Sequence, residues 1–111
     1  MLRGILYEIV QADDLGATVR LLPESAVYAG HFPGYPITPG VCLVEMALEA
    51  IGQMADHDVK LVAAKNIKFT SPVFPDAGTE LRFNISGEGE NWSVEVLNGE
   101  ALSAKMSLTV D

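Results

Sequence analysis

The sequence has a single cysteine and few basic residues, and both shortages exclude whole classes of protein. One cysteine, Cys42, cannot form an internal disulfide and rules out most cysteine-based metal sites. Because Cys42 lies in an apolar run, we expect a small buried side chain there. Seven Lys and Arg residues stand against fifteen Asp and Glu, which gives a net charge of −8. Such a chain is not expected to bind nucleic acid or an anionic membrane, since both need basic surfaces.

Long apolar runs are also missing. No stretch reaches the ~20 residues of a transmembrane helix, and residues 1–4 lack the apolar core and cleavage site of a signal peptide. We therefore expect a soluble, cytoplasmic protein without a membrane span. The 111 residues fit one domain, residues 1–111, of ordinary size. A small domain with 49% hydrophobic residues has apolar surface left over, and the simplest cover is a second copy of the chain.

The order of apolar runs and turn residues predicts one long helix and six strands. Residues 41–55 are helical in composition and apolar on almost every face, which is typical of a helix surrounded by protein. Short apolar or alternating runs separated by turn residues predict strands at 4–10, 17–22, 59–69, 79–86, 92–97 and 101–110. Asn98-Gly99 is the favoured two-residue hairpin turn. This pattern predicts an α+β fold, a curved antiparallel sheet wrapped around one long apolar helix.

A segment rich in glycine and proline, residues 29–40, lies between the second strand and the helix. Each proline fixes its own φ and restricts the residue before it, so a rigid loop is predicted. Thr38 is the predicted N-cap and Pro39 the first helical residue. The unpaired N–H groups and the helix dipole would favour an oxygen that gains negative charge, and Gly40 would allow close approach. An ordinary capped helix start is commoner in general, but the loop that precedes this helix favours the oxygen-binding interpretation.

Two ionisable residues stand out in this loop and helix. His31 lies among the prolines and suits proton transfer near neutral pH, whereas His57, at the predicted helix end, fits a structural role. Glu45 lies in the middle of the apolar helix, where burial would raise its pKa and keep the carboxyl protonated. Glu45, Glu49 and Gln53 repeat every four residues and form one polar stripe, for which a solvated face is the alternative interpretation.

A histidine base and a protonated glutamic acid beside a helix N-terminus can eliminate water β to a carbonyl. In this hypothesis His31 removes the C2 proton and Glu45 protonates the hydroxyl that leaves C3. The helix amides hold the oxygen of the enolate-like intermediate. General acid–base catalysis contributes about 10²- to 10⁴-fold to such a rate.

Three lysines form a local basic patch in this acidic chain. Lys60, Lys65 and Lys68 lie within nine residues, and no acidic residue occurs between Val59 and Ser71. The patch is either a solubilising face or a docking surface for an acidic partner.

The loop and helix together resemble the signature of FabZ-type beta-hydroxyacyl-acyl-carrier-protein dehydratases. The match runs without a gap from Gly30 to Glu45, with Cys42 where leucine is usual. Residues 66–75 are similar to the strand and proline bend that follow the helix in that family, and the whole resemblance covers residues 17–110. A match of this length is far more specific than a lone glycine motif.

The resemblance implies a hot-dog fold and a homodimer, or a higher oligomer, with active sites at the subunit interface. His31 of one subunit would face Glu45 of the other, and a backbone amide near Gly40 would bind the thioester oxygen. The substrate-binding residues that it implies are Phe32, Pro33, Gly40 and Val41. The substrate would be a (3R)-3-hydroxyacyl thioester of acyl carrier protein or coenzyme A, and Lys60, Lys65 and Lys68 would meet the carrier's acidic helix. No metal and no cofactor are expected.

The chain departs from that family in its first residues, in its acidity and at Glu49, where glutamine is common. A second carboxylate there would raise the pKa of Glu45 further. These departures leave a housekeeping fatty-acid pathway and a specialised lipid, polyene or polyketide pathway both open. Two other functions remain as alternatives. A hot-dog acyl thioesterase usually lacks this histidine loop, and a non-catalytic acyl-binding domain is disfavoured by the presence of both His31 and Glu45.

Overall fold

The computed structural model describes residues 1–29, 37–76 and 78–111, which contain two helices and six strands. The helices are α1 (Ala26–Ala29) and α2 (Gly40–Ala55). The strands are β1 (Tyr7–Asp13), β2 (Gly16–Leu21), β3 (Leu61–Phe69), β4 (Glu80–Glu88), β5 (Asn91–Asn98) and β6 (Ala101–Val110). The long helix and all six strands correspond to predicted elements. The short helix α1 was not predicted, because four residues carry no helical periodicity.

The strands form one antiparallel sheet in the order β1-β2-β4-β5-β6-β3. β4, β5 and β6 are a meander, whereas β3 crosses to the far edge and pairs only with β6. The turn between β5 and β6 is Gly99-Glu100, one residue later than predicted, and Gly99 adopts the left-handed φ of 63° that this turn requires. The predicted α+β arrangement, an antiparallel sheet around one long helix, is confirmed.

The apolar core of the described residues lies between α2 and one face of the sheet. Side chains from every strand except β3 reach full burial in it, and they alternate with outward-facing polar residues along β4 and β5. The helix contributes residues that recur with helical spacing: Cys42, Leu43, Met46, Ala47, Leu48, Ile51 and Gly52. Each large side chain buried in this way contributes about 1.5–3 kcal/mol to folding. The predicted burial of Cys42 is confirmed.

One face of α2 is left uncovered, which corrects the expectation of a helix surrounded by protein. Val41 is 74% exposed, and Glu45 and Gln53 on the same side are exposed as well. A sheet covers only the side of a helix that faces it, so the described residues leave the other side of α2 open. At 16 residues α2 is short, and within the described ranges no helix combines the length and apolarity needed to cross a membrane.

The start of α2 also differs from the prediction. The helix begins at Gly40, Pro39 occupies the N-cap, and no side chain caps the helix. The hydroxyl of Thr38 instead makes a buried 2.9 Å hydrogen bond with the Tyr28 hydroxyl, and the Thr38 amide donates to the carbonyl of Val73 at 2.8 Å. Thr38 therefore ties α1 and the segment after β3 to the helix start, and its side chain is not available as a cap.

Candidate active site

The polar stripe of α2 lines an open groove of about 570 Å³. Glu45, Glu49 and Gln53 reach it from α2, because a spacing of four residues places them on one helix face. The opposite wall comes from the N-terminal segment and the start of β1, including Arg3 and Tyr7. The predicted stripe is therefore present and faces a groove with a polar wall.

Glu49 is held from three directions by the N-terminal segment and β1. The amide of Leu2 donates to Glu49 Oε2 at 2.8 Å, and the amide of Arg3 donates to Oε1 at 3.0 Å. The hydroxyl of Tyr7 donates to Oε1 at 2.8 Å. Burial and this bond to Glu49 raise the pKa of Tyr7 well above its usual range, so the hydroxyl stays a donor. Glu49 thus fastens the first residues of the chain across α2.

The pKa of Glu45, one helical turn earlier, is raised above its ordinary value. The first cause is partial burial, and the second is the charge of Glu49 on the same face of α2. The amino group of Met1 acts in the opposite direction. Both causes of the raised pKa were predicted from the sequence, but the Glu45 side chain is more exposed in this chain than expected.

The N-terminus of α2 lies beside a second, smaller groove of about 410 Å³. The aromatic ring of Phe69, at the end of β3, covers Gly40. A side-chain carbon added at Gly40 would lie 2.7 Å from Phe69 Cζ. The first amides of a helix have no acceptor within it, and no side chain caps them here. An oxygen with partial negative charge could therefore accept from them.

The two grooves account for only part of the predicted site. Gly40, Val41 and Glu45 share the first turns of α2, which places the predicted oxygen-binding amides and the predicted acid on one helix. His31, Phe32 and Pro33 lie outside the residues that the structure describes. Their roles stay predictions.

His57 lines the first groove as well, but its geometry agrees with a structural role. Its Nδ1 is hydrogen-bonded to the carbonyl of Asp58 at 3.0 Å, and its amide donates to the carbonyl of Gly52 at the end of α2. Within the described ranges no three His, Cys, Asp or Glu side chains come together in a way that could hold a metal ion.

The three lysines predicted to dock a carrier are exposed at the β3 edge of the sheet. Lys65 and Lys68 are in β3, and Lys60 directly precedes it, with its main chain paired to Asp111. Lys68 pairs across the strands with Lys105 of β6. The sequence analysis missed Lys105, because nothing in its local sequence indicates that β6 lies beside β3.

Tyr7 and Phe69 were missed for the same reason. Each lies far along the chain from the helix residue that it contacts: Tyr7 is 42 residues from Glu49, and Phe69 is a late residue of β3. An aromatic residue at a strand end is ordinary in composition. Only the fold shows that these two side chains border the grooves.

Comparison with known proteins supports a relationship to dehydratases. A family model described as ApeI-like, ApeI dehydratase, matches residues 8–107. A 3-hydroxyacyl-[acyl-carrier-protein] dehydratase FabZ of Campylobacter hominis is 37% identical over 68% of this chain and 58% of its own length. Another of the same name, from Nitratiruptor sp., is 33% identical over 86% of this chain and 72% of its own length. The chain spans only about half the length of several curated relatives that it matches.

Two solved structures share the architecture. A chain of the dehydratase heterocomplex ApeI:P from Xenorhabdus doucetiae superimposes with a TM-score of 0.74 at 18% identity, over 93% of both chains. An uncharacterized protein from Erwinia carotovora gives a TM-score of 0.68 at 20% identity, over 93% of this chain and 89% of that one. At such low identities the likeness establishes the fold, which is the hot-dog fold.

Proposed function

The chain belongs to the ApeI-like dehydratase family, and on this basis we propose that it removes water from (3R)-3-hydroxyacyl thioesters to give trans-2-enoyl thioesters. The observation that carries the proposal is the placement of Glu45, a carboxyl with a raised pKa, on the same helix whose uncapped amides begin at Gly40. An acid and an oxygen-binding site on one rigid element suit an elimination next to a carbonyl.

The proposed reaction assigns a separate task to each group. His31 takes the proton from C2, and the electrons of that C–H bond form the C2–C3 double bond as the C3–O bond breaks. Glu45 gives its proton to the departing hydroxyl, which leaves as water. The amides at Gly40 and Val41 hold the thioester oxygen while it carries negative charge, and Phe32 and Pro33 border the acyl chain. Proton return from His31 to Glu45 then restores the starting state.

We propose acyl carrier protein as the carrier of the substrate, because curated relatives are named for that carrier. Lys60, Lys65 and Lys68 would attract its acidic surface. Such a role fits fatty-acid or related acyl-chain synthesis, and we place it in the cytoplasm. The thioester of coenzyme A is the alternative substrate.

The lysine patch makes a testable prediction. Changing Lys60, Lys65 and Lys68 together to Glu should lower kcat/KM about 10-fold or more for a carrier-bound substrate, since steering by opposite charge is lost. Turnover of an uncharged N-acetylcysteamine thioester should stay within about 2-fold, as it has no charge to steer. Equal turnover of the carrier-bound substrate by both proteins would show that the patch is only a solubilising face.

We propose that two copies of the chain pair along β3. This strand is an edge of the sheet, and Leu61, Val62 and Phe69 are exposed along it. The open face of α2, with Val41, lies uncovered in the same chain. Such a dimer would add the second wall that α2 lacks and would bring His31 of one subunit towards Glu45 of the other.

The proposed activity is tested by mixing the protein with a crotonyl thioester and following both the acyl product and free thiol. Elimination is reversible, so a dehydratase should hydrate the double bond to the 3-hydroxyacyl thioester. Release of free thiol without hydration would identify a thioesterase, and recovery of unchanged thioester would identify an acyl-binding domain. Either result would refute the proposed function.

A further inference from the structure

We infer that Glu49 is a positioning residue for the proposed reaction: its carboxylate, fixed by the N-terminal segment and Tyr7, is the acceptor that orients the carboxyl of Glu45. This inference rests on the proposed function for its catalytic meaning. The arrangement itself, three donors on one carboxylate beside the proposed acid, is a feature of the described structure.

The bonds around Glu49 leave one direction free. An ionised carboxylate offers about four lone-pair sites. The amides of Leu2 and Arg3 and the hydroxyl of Tyr7 occupy three, and they use both oxygens. The carboxyl of Glu45 lies one helical turn away on the same face of α2 and lines the same groove, so it is placed to donate to the remaining site. Since Glu49 already accepts from three donors, a proton shared by the two carboxyls belongs to Glu45, which donates to Glu49.

An O–H that donates to a fixed acceptor has a defined direction. Glu45 is exposed in this chain, so its side chain would otherwise sample several rotamers in the groove. A proton donor that is misplaced by about 1 Å can lose on the order of 10²-fold in rate. The bond to Glu49 therefore supplies an orientation that burial does not supply here.

Glutamine could not replace Glu49 in this role. Its amide has one acceptor oxygen and one NH₂ group, which only donates. The Leu2 amide bonds to one oxygen of Glu49, while the Arg3 amide and the Tyr7 hydroxyl bond to the other. One of these donors would then face an NH₂ group. The N-terminal segment of this chain is thus matched to a carboxylate at position 49.

The charges that face the two carboxyls come from three elements. Glu49 acts on Glu45 from α2 itself, and the Cys42 thiol on the same helix has a pKa raised by burial and by Glu45. Tyr7 of β1 and Arg3 of the N-terminal segment adjoin Glu49, and the Met1 amino group acts on Glu45. At the other end of the groove lie Asp56, His57 and Asp58. Glu49 is the acidic residue of this set that lies one helical turn from Glu45 on the same face of α2.

The test compares Glu49→Gln with Glu100→Gln, the same loss of charge in the exposed β5–β6 turn. For each protein we would measure kcat and KM against pH with a crotonyl thioester, and the titration of the Glu45 carboxyl by ¹³C NMR. Glu49→Gln should lower kcat about 10-fold or more with KM within about 2-fold. The Glu45 pKa should fall. Because Glu45 acts as the base when a crotonyl thioester is hydrated, the acid limb of the kcat profile should move to lower pH. Glu100→Gln should change neither.

The outcomes separate this inference from the proposed function. An unchanged Glu45 titration and an unchanged pH profile in a folded Glu49→Gln variant would overturn the inference, whatever the activity of the parent protein. If the parent protein neither hydrates nor dehydrates, the proposed function fails, but the NMR titration still decides whether Glu49 acts on Glu45.

If Glu49→Gln does not fold, Tyr7→Phe replaces it, because it removes one donor and keeps the charge. This variant should lower kcat at constant KM, and unchanged kcat would refute the inference.

Discussion

At the scale of single residues, Glu45 combines two properties that usually exclude each other. Its carboxyl is open to the groove, as a proton donor to a substrate must be, and its pKa is nevertheless raised. Full burial is one common way to keep a carboxyl protonated, but it also hides the group from a substrate. Here partial burial raises the pKa of Glu45 first, and a second carboxylate one helical turn away raises it further without closing the site.

This arrangement carries a cost in stability that can be measured. The pKa of Glu45 is higher in the folded chain than in the unfolded chain. Below the unfolded-state pKa the carboxyl is protonated in both states and does not affect stability. As pH rises through the folded-state pKa, the free energy of unfolding falls. Glu45→Gln removes this titration. Unfolding by urea should therefore show that the variant gains stability over the parent protein between pH 4 and pH 7.5.

The control for that experiment is Glu100→Gln, at a residue in the turn after β5. Its stability relative to the parent protein should not change with pH. If the free energy of unfolding of Glu45→Gln differs from that of the parent protein by the same amount at both pH values, Glu45 titrates as an ordinary surface carboxyl.

The residue-scale predictions from sequence succeeded where the relevant contacts are local. The four-residue spacing of Glu45, Glu49 and Gln53 fixes a shared helix face, and the structure has that stripe. The partners of Glu49 lie 42 to 47 residues away and bond largely through backbone amides. Backbone groups have no sequence signature, so this part of the site could not have been predicted.

At the scale of elements, the contact between α2 and β3 decides which residue the helix can begin with. Gly40 starts the helix under the ring of Phe69, which is 51% exposed. Alanine is favoured over glycine within a helix by up to ~1 kcal/mol. A methyl group at position 40 would clash with the ring, and this clash lowers stability. Overpacking of this kind costs about 1–3 kcal/mol.

A double-mutant cycle separates the two effects. Gly40→Ala should destabilise the parent protein by about 1 kcal/mol, because the exposed ring can move aside at a modest cost. In a Phe69→Leu background, where the ring edge is gone, the same change should be neutral or stabilising. Urea denaturation measures all four proteins. An equal cost in both backgrounds would mean that the ring does not constrain this helix start.

The elements also show what periodicity can and cannot predict. Strand and helix positions follow from apolar spacing and turn residues, and each predicted element is present. The helix cap was wrong because Thr38 bonds to Tyr28, a contact between two elements. The position of β3 at the sheet edge was also outside the reach of local patterns, because strand order depends on pairing between distant segments.

At the scale of the whole molecule, the two edges of the sheet are unlike. Both edge strands contain register shifts and charged side chains that discourage pairing: Glu8 and Asp13 in β1, and Lys65 and Lys68 in β3. The difference between them is apolar exposure, because β3 exposes Leu61, Val62 and Phe69, whereas β1 exposes one large apolar side chain, Val10. The proposed second chain is therefore placed at β3, where it would also cover the open face of α2.

The proposed dimer predicts complementation between two inactive variants. His31→Ala and Glu45→Gln should each lose activity alone. If each site takes His31 from one subunit and Glu45 from the other, random pairing of equal amounts should restore about a quarter of the sites. The measurement is crotonyl thioester hydration after co-refolding, with sedimentation to confirm dimers. If mixed dimers form but no hydration activity is recovered, both residues of one active site come from the same subunit. A monomer would refute the pairing altogether.

The central claim is that Glu45 is the acid of a dehydratase, and the most direct test is the rate of one variant. Turnover of a (3R)-3-hydroxyacyl thioester should fall about 10²- to 10⁴-fold in Glu45→Gln, which keeps the size of the side chain but has no proton to donate at this position. Glu100→Gln should keep the parent rate. Full activity in a folded Glu45→Gln protein would contradict the account.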